Sequence, residues 1–258
     1  MRLLIVRHGD PDYDRDILTE KGEKEVQLLV PRMLKEDIKD FYVSPMRRAR
    51  MTAQPTLNAF KKTAQIKDWM QEFIYPVDIN GCTDLQKAYP DTPVKEDGTF
   101  EDRLAWDAVP SYWRTKPELA TENGWRESEV AAHAPTLAEN YDRVCAGFDE
   151  LLASYGYVRD GHLYRTEQGT NDTIAIFCHL GLTCVLLSHL WGISPFILWH
   201  SLAMAPTSVT EINTEEREKG IVYFRASRIG DISHLYAAGE QPAFAARFCS
   251  VYENDERH

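Results

Sequence analysis

The sequence has no long apolar run, no paired cysteines and no surplus of positive charge. Nothing in it approaches the ~18 consecutive apolar residues of a membrane-spanning helix, and the opening stretch, Met1 to Val6, which Arg7-His8-Gly9 ends, is too short for the apolar region of a secretory signal. The five cysteines, at positions 82, 145, 178, 184 and 249, are odd in number and contain no C-x-x-C pair. That argues against a disulfide framework and against a zinc site, and it points to reduced thiols and a cytoplasmic protein. The formal charge of −11 excludes the broad basic field that nucleic acid or an anionic membrane would require. It does not exclude an anionic small molecule, because a few converging arginines can hold one in an acidic protein. Internal repeats and low-complexity tracts are also missing, and no pattern specifies an oligomeric state.

What is present suits one large α/β domain over residues 1–258. Apolar residues make up 43% of the chain and charged residues 27%, ordinary values for a globular protein. Leu3-Leu4-Ile5-Val6 and Thr173-Ile174-Ala175-Ile176-Phe177-Cys178 are apolar, branched runs that read as strands buried on both faces, typical of a parallel sheet. Phe41-Tyr42-Val43 is a third short strand, Gln65 to Trp69 an edge-like fourth, and Ser208 to Ile212 and Ile221 to Ala226 complete the sheet. Thr19 is expected to cap a helix whose apolar positions are Val26, Leu29, Val30, Met33 and Leu34, with Pro31 kinking it. Ser44-Pro45 predicts a cap with proline at the first helical position, and Pro55 an interruption of the helix that follows. Leu137, Tyr141, Val144, Phe148, Leu151 and Leu152 predict a long helix over 135–155, and Leu180 opens another through Trp191. Asp160-Gly161 predicts a primed turn in a hairpin at 156–166. Residues 78–130, rich in proline and tryptophan and weak in periodicity, read as an inserted cap. The expected class is therefore a three-layer α/β/α fold with a central, mostly parallel sheet and an inserted cap.

The chemistry-bearing residues sit where such a sheet binds ligands. His8 follows the first strand and His179 the buried later one, at carboxyl ends that parallel pairing brings together. Arg7 precedes one histidine, and Arg47, Arg48 and Arg50 open a helix after a third strand. An imidazole pair among guanidinium groups and helix N-termini is an anion site that fits a tetrahedral phosphate.

Arg7-His8-Gly9, Leu18-Thr19 with Gly22, Ser44-Pro45-Met46-Arg47-Arg48-Ala49-Arg50-Met51-Thr52-Ala53 and Cys178-His179-Leu180-Gly181 together resemble the motifs of the histidine phosphatase superfamily, which the cofactor-dependent phosphoglycerate mutases share. Met46 stands where that family usually has Leu, and Cys178 where it usually has Ser. The resemblance implies a phosphatase with His8 as nucleophile, its second ring nitrogen donating to a backbone carbonyl. Arg7, Arg48 and His179 would hold the phosphoryl oxygens, helped by backbone N–H groups near Leu180 and Gly181. Glu72 lies where the family places a general acid, with Asp68 and Glu101 as runners-up. No metal and no cofactor are implied, and the partner is a small-molecule phosphate ester. Tyr13 and Trp106 are candidate substrate contacts. Arg47 and Arg50 are expected to be solvated, and His133, His162, His189, His200 and His234 to be structural.

Asp10-Pro11-Asp12-Tyr13-Asp14 replaces the Glu-Ser/Thr-x-Trp-Asn run of the mutases, and Phe73-Ile74-Tyr75-Pro76-Val77-Asp78 lacks their following lysine. Hydrolysis is therefore favoured over a mutase reaction, and a noncatalytic phospho-ligand binder on the same fold is a third reading.

Overall fold

The computed structural model describes residues 1–243; Cys249 lies outside them. β1 (Arg2–Arg7) is followed by a small hairpin, β2 (Pro11–Asp12) and β3 (Ile17–Leu18), then by α1 (Glu20–Met33), β4 (Ile38–Val43), α2 (Arg47–Phe60) and β5 (Ala64–Ile66). Next come β6 (Pro76–Val77), α3 (Thr83–Ala88), β7 (Arg103–Leu104), α4 (Pro110–Trp113) and α5 (Glu129–Ala132), with short 3-10 turns between them. α6 (Leu137–Ala153) leads to the hairpin of β8 (Val158–Asp160) and β9 (Leu163–Arg165), then to β10 (Thr173–Cys178), α7 (Leu180–Trp191) and α8 (Pro195–Ser201). A long hairpin, β11 (Val209–Glu218) and β12 (Ile221–Asp231), and α9 (Ser233–Ala237) complete the described chain.

The chain divides into two compact units. The first holds an eight-stranded sheet in the order β5-β4-β10-β1-β11-β12-β9-β8. β5, β4, β10 and β1 pair in parallel, and every pairing from β1 through β11, β12 and β9 to β8 is antiparallel. The sheet is thus mixed, half parallel and half antiparallel, rather than mostly parallel. The hairpins at β8–β9 and β11–β12 supply two of the antiparallel pairings from local sequence, and β1–β11 and β12–β9 join segments distant in the chain. Leu4, Val6, Phe41, Val43, Ala175 and Phe177 point alternately to one face, where they pack with Leu29 and Met33 of α1 and Ala49, Ala53 and Leu57 of α2. Leu3, Ile5, Ile174 and Ile176 point the other way and are equally buried, which explains the unbroken apolar runs.

Local signals hold in part. Thr19 caps α1, its side chain accepting from the Gly22 N–H. Gly161 takes a φ of +60° as the first residue of the two-residue loop Gly161-His162 between β8 and β9, so the hairpin forms with its turn one residue later than Asp160-Gly161 suggests. α1 and α2, however, run unbroken through Pro31 and Pro55. Each proline frees the carbonyl four residues back, on exposed Gln27 and half-buried Met51, where water can satisfy it. α2 begins at Arg47 with Met46 as its N-cap, two residues later than Ser44-Pro45 suggests, and Ser44 Oγ accepts the Met46 N–H at 3.2 Å ahead of the helix while also facing His179. The edge strand is Ala64–Ile66 rather than 65–69. Its partner β4 ends opposite Ile66, and the chain then turns at Asp68–Met70. β11 and β12 run well beyond 212 and 226 as an exposed ribbon closed by Gly220 at φ +78°.

The second unit, Phe73–Leu151 with Cys184–Leu202, is built on aromatic packing. Trp125 is fully buried and meets Tyr141 and Phe196 edge-on or tilted. Tyr141 Oη and Ser188 Oγ lie 2.8 Å apart, and Ser194 Oγ donates to the Leu119 carbonyl at 2.6 Å. These bonds satisfy hydroxyls that burial would otherwise strand. Among the described residues no helix is long and apolar enough to cross a membrane, and Cys82, Cys145 and Cys178 are buried thiols outside any disulfide.

One carboxylate in the first unit is out of place. Glu25 of α1 is fully buried, and Lys21 Nζ stands 3.8 Å from it, beyond hydrogen-bond reach. Burial raises its pKa from 4.5 to about 7, partly offset by Lys21. An acid whose folded pKa is raised costs stability above its unfolded pKa, and the cost is complete above the folded one. Glu25→Met should therefore stabilise the fold by about 2 kcal/mol at pH 8 and by less at pH 5. Denaturant melts at the two pH values measure the difference.

Candidate active site

Register places the site. β1 pairs with β10 so that Arg7 lies opposite Cys178, and β10 pairs with β4 so that Phe177 lies opposite Val43. The three strands therefore end level, and the next residue of each, His8, His179 and Ser44, falls at one edge of the sheet. The His8 and His179 rings lie 5.2 Å apart, centroid to centroid. Both residues are buried.

Each imidazole is oriented by one bond. His8 Nδ1 stands 2.7 Å from the Gly9 carbonyl oxygen. A carbonyl only accepts, so Nδ1 carries the proton and Nε2 presents its lone pair. His179 Nε2 lies 2.7 Å from Ser44 Oγ, while its Nδ1 is buried with no partner. Burial, reinforced by the Arg7 and Arg48 guanidinium groups, holds His8 well below the ordinary histidine range. Burial does the same to His179, helped by His8, Arg48 and Arg7. Both rings are therefore neutral at pH 7.

Two arginines accompany them, Arg48 buried and Arg7 half-buried. Arg7 donates through Nη1 to the Met204 carbonyl, and its Nε is buried without a partner. Arg48, only 3% exposed, pairs with Asp16 through Nη1 at 2.6 Å, and its Nε is likewise unpartnered. Arg47 and Arg50 are exposed. Glu72 reaches the site's edge at the start of α7, where its Oε1 accepts the Leu182 N–H at 3.0 Å. Leu180 and Gly181 form the first turn of the same helix. Tyr13 is 62% exposed, with its ring 6.4 Å from His8 and 5.4 Å from the Arg48 guanidinium carbon. The structure thus gathers His8, His179, Arg7, Arg48, Tyr13 and Glu72 within one unit. Trp106 lies in the other unit, edge-on to Trp199 at 5.9 Å.

Several supporting residues carry no chemical signature in the sequence. Thr52 Oγ1 accepts from the Gly9 N–H at 2.9 Å and donates to the Arg48 carbonyl at 2.8 Å, tying nucleophile loop to arginine helix. Thr207, at φ +59°, gives its N–H to the carbonyls of Arg7 and His8. A Cβ at Gly22 would stand 2.3 Å from the Asp10 carbonyl oxygen, so only glycine lets α1 approach that loop. Ser44 and Thr52 read naturally as a cap and a packing residue; their roles depend on partners more than forty residues away. His133, His189, His200 and His234 each hold a local partner: the Asp78 carbonyl, Asp149, the Phe196 carbonyl and Thr207. Cys178 is a buried thiol pushed up to about 12 by desolvation, which makes it inert. Among the described residues no group of three or more His, Cys, Asp or Glu side chains could hold a metal ion.

In this mixed α/β fold, two neutral histidines and Arg7 stand at the carboxyl ends of parallel strands, with Arg48 in the first turn of α2. Residues 3–112 match the model of the histidine phosphatase superfamily (branch 1), the family whose motifs the sequence resembles. The chain is 35% identical over 69 residues to the 2,3-bisphosphoglycerate-dependent phosphoglycerate mutase of Thermoplasma acidophilum. That stretch covers 23% of this chain and about a third (34%) of the mutase. Among solved structures, it resembles a phosphoserine phosphatase variant from Entamoeba histolytica in complex with phosphoserine, at 17% identity and a TM-score of 0.56, covering 91% of this chain and 98% of that one. It also resembles the alpha-ribazole phosphatase of Shigella flexneri, at 17% identity and a TM-score of 0.52, covering 90% and 97%. At such identities these structures speak to the fold.

Lowered imidazole pKa values mean that the neutral forms persist as pH falls below 6.5. In an NMR titration of the imidazole C–H resonances, His8 and His179 should stay neutral through pH 6. A midpoint near 6.5 for either would show that it is solvated and that neither burial nor the arginines govern it.

Proposed function

We propose that the protein hydrolyses a small-molecule phosphomonoester through a phosphohistidine on His8. One observation carries this reading: Arg7 Nε, Arg48 Nε and His179 Nδ1 are buried without partners beside a histidine whose Nε2 presents its lone pair. Each stranded group costs about 1–3 kcal/mol, and a phosphoryl group satisfies all three at once.

The steps balance as follows. His8 Nε2 attacks phosphorus, and the bond to the ester oxygen breaks. The departing oxygen takes a proton from Glu72, whose carboxyl group the Leu182 amide holds in place. Arg7, Arg48 and His179 bind the three equatorial oxygens and stabilise the transferring group. Water then attacks the phosphohistidine, Glu72 recovers its proton from that water, and inorganic phosphate leaves. The reduced thiols support a cytoplasmic setting, and the net charge of −11 argues against nucleic acid or anionic membrane as the partner.

The stretch of similarity to a phosphoglycerate mutase keeps a mutase as the second reading. The Asp10–Asp14 run and the missing lysine after Glu72 favour the hydrolase. Acid-quench labelling with a phosphorylated substrate separates the two. A hydrolase gives a transient acid-labile phosphoenzyme, a mutase a long-lived one, and a phospho-ligand binder none. His8→Ala should abolish both labelling and hydrolysis of an aryl phosphate while leaving the melting temperature near that of the wild type. Full turnover in that variant would sink the mechanism. Glu72→Ala should slow esters of poor leaving groups by about 10²-fold or more while barely affecting aryl esters. Equal losses on both would assign the proton to another group.

A further inference from the structure

The Arg48 guanidinium is already in contact with a carboxylate of its own chain. Asp16 lies in the loop of Tyr13 to Asp16 that joins β2 and β3, with its backbone at φ +52°. Asp and Asn tolerate that left-handed conformation better than other residues with a side chain. Its Oδ1 sits 2.6 Å from Arg48 Nη1, and its Oδ2 accepts the Arg47 backbone N–H at 2.6 Å. The Tyr13 ring stacks near the same guanidinium. α2 needs this carboxylate twice over. Its N-cap, Met46, has no side-chain acceptor, and its first turn holds no acidic residue but several arginines. A positive first turn opposes the helix dipole, and Asp16 supplies from outside the helix the negative charge the first turn lacks.

The same carboxylate bears on the anion site. It grips Nη1 and leaves the Nε edge of a 3% exposed arginine unpartnered. A unit charge held against the guanidinium also repels a dianion bound at its Nε edge, an effect that the 34% exposure of the Asp16 side chain attenuates but does not remove. The geometry points to Asp16 as a positioning residue that fixes the exposed edge of Arg48 and lowers the affinity of the site for inorganic phosphate, so that product leaves. This rests on the reading of the site as a phosphatase centre.

The test compares product inhibition in the wild type, Asp16→Asn and Asp16→Gly, with inorganic phosphate as the probe and an aryl phosphate as the reporter substrate. Asn and Gly both accept the positive φ, so either variant removes the charge without straining the loop. Both should lower the inhibition constant for phosphate at least threefold and lower KM in parallel. kcat should fall because release slows, and Asp16→Glu should move all three back toward the wild type. A role confined to capping α2 would lower the melting temperature without lowering the inhibition constant. A neutral variant whose inhibition constant is unchanged or raised overturns the proposal. If the wild type itself is not inhibited by phosphate and forms no phosphoenzyme, the phosphatase reading fails first, and the two failures are thereby distinguished.

Discussion

Everything at the candidate site depends on the parallel register of β1, β10 and β4. Arg7 opposite Cys178 and Phe177 opposite Val43 make three strands end level, so residues 8, 179 and 44 meet although they are far apart in sequence. A slip of one residue in either pairing would turn a buried apolar set to the wrong face. The continuous burial of Leu3 to Val6 and Ile174 to Cys178 makes such a slip expensive. The hydrophobic packing of the sheet is therefore what holds the two imidazoles 5.2 Å apart.

Burial that fixes the geometry also fixes the protonation. Two histidines out of water beside two guanidinium groups stay neutral, which an exposed pair would not do near pH 6.5. The arginines keep unsatisfied N–H groups because Met204 and Asp16 engage only part of each guanidinium. Thr52, Thr207 and Gly22 brace the loop between them. The site is thus held by ordinary backbone and hydroxyl hydrogen bonds, with the Nε of each arginine left unpartnered.

Much of this was legible in the chain. The apolar runs before Arg7-His8-Gly9 and before His179 announced buried strands with chemistry at their ends, and Thr19 announced its helix. Other features were not. Pro31 and Pro55 forecast breaks that did not occur, because the carbonyls they free lie where water can take them. The sheet proved half antiparallel, since hairpin pairing is settled by turns and ribbon length, which apolar runs do not report. Ser44 passes for a helix cap until His179 is seen beside it, and Asp16 carries no signal at all until Arg48 is found against it.

The sequence by itself determined the identities that matter: which strands are buried, which histidines follow them, and which arginine-bearing helix comes after the third. Periodicity and local capping are short-range properties, so a linear reading captures them. Only the tertiary structure decided which nitrogen of His8 is free, that Glu72 docks on α7, and that Asp16 holds Arg48. Those are contacts between residues roughly thirty to more than a hundred positions apart or with a carbonyl whose direction the backbone sets. They exist because a packed sheet brings distant strand ends together.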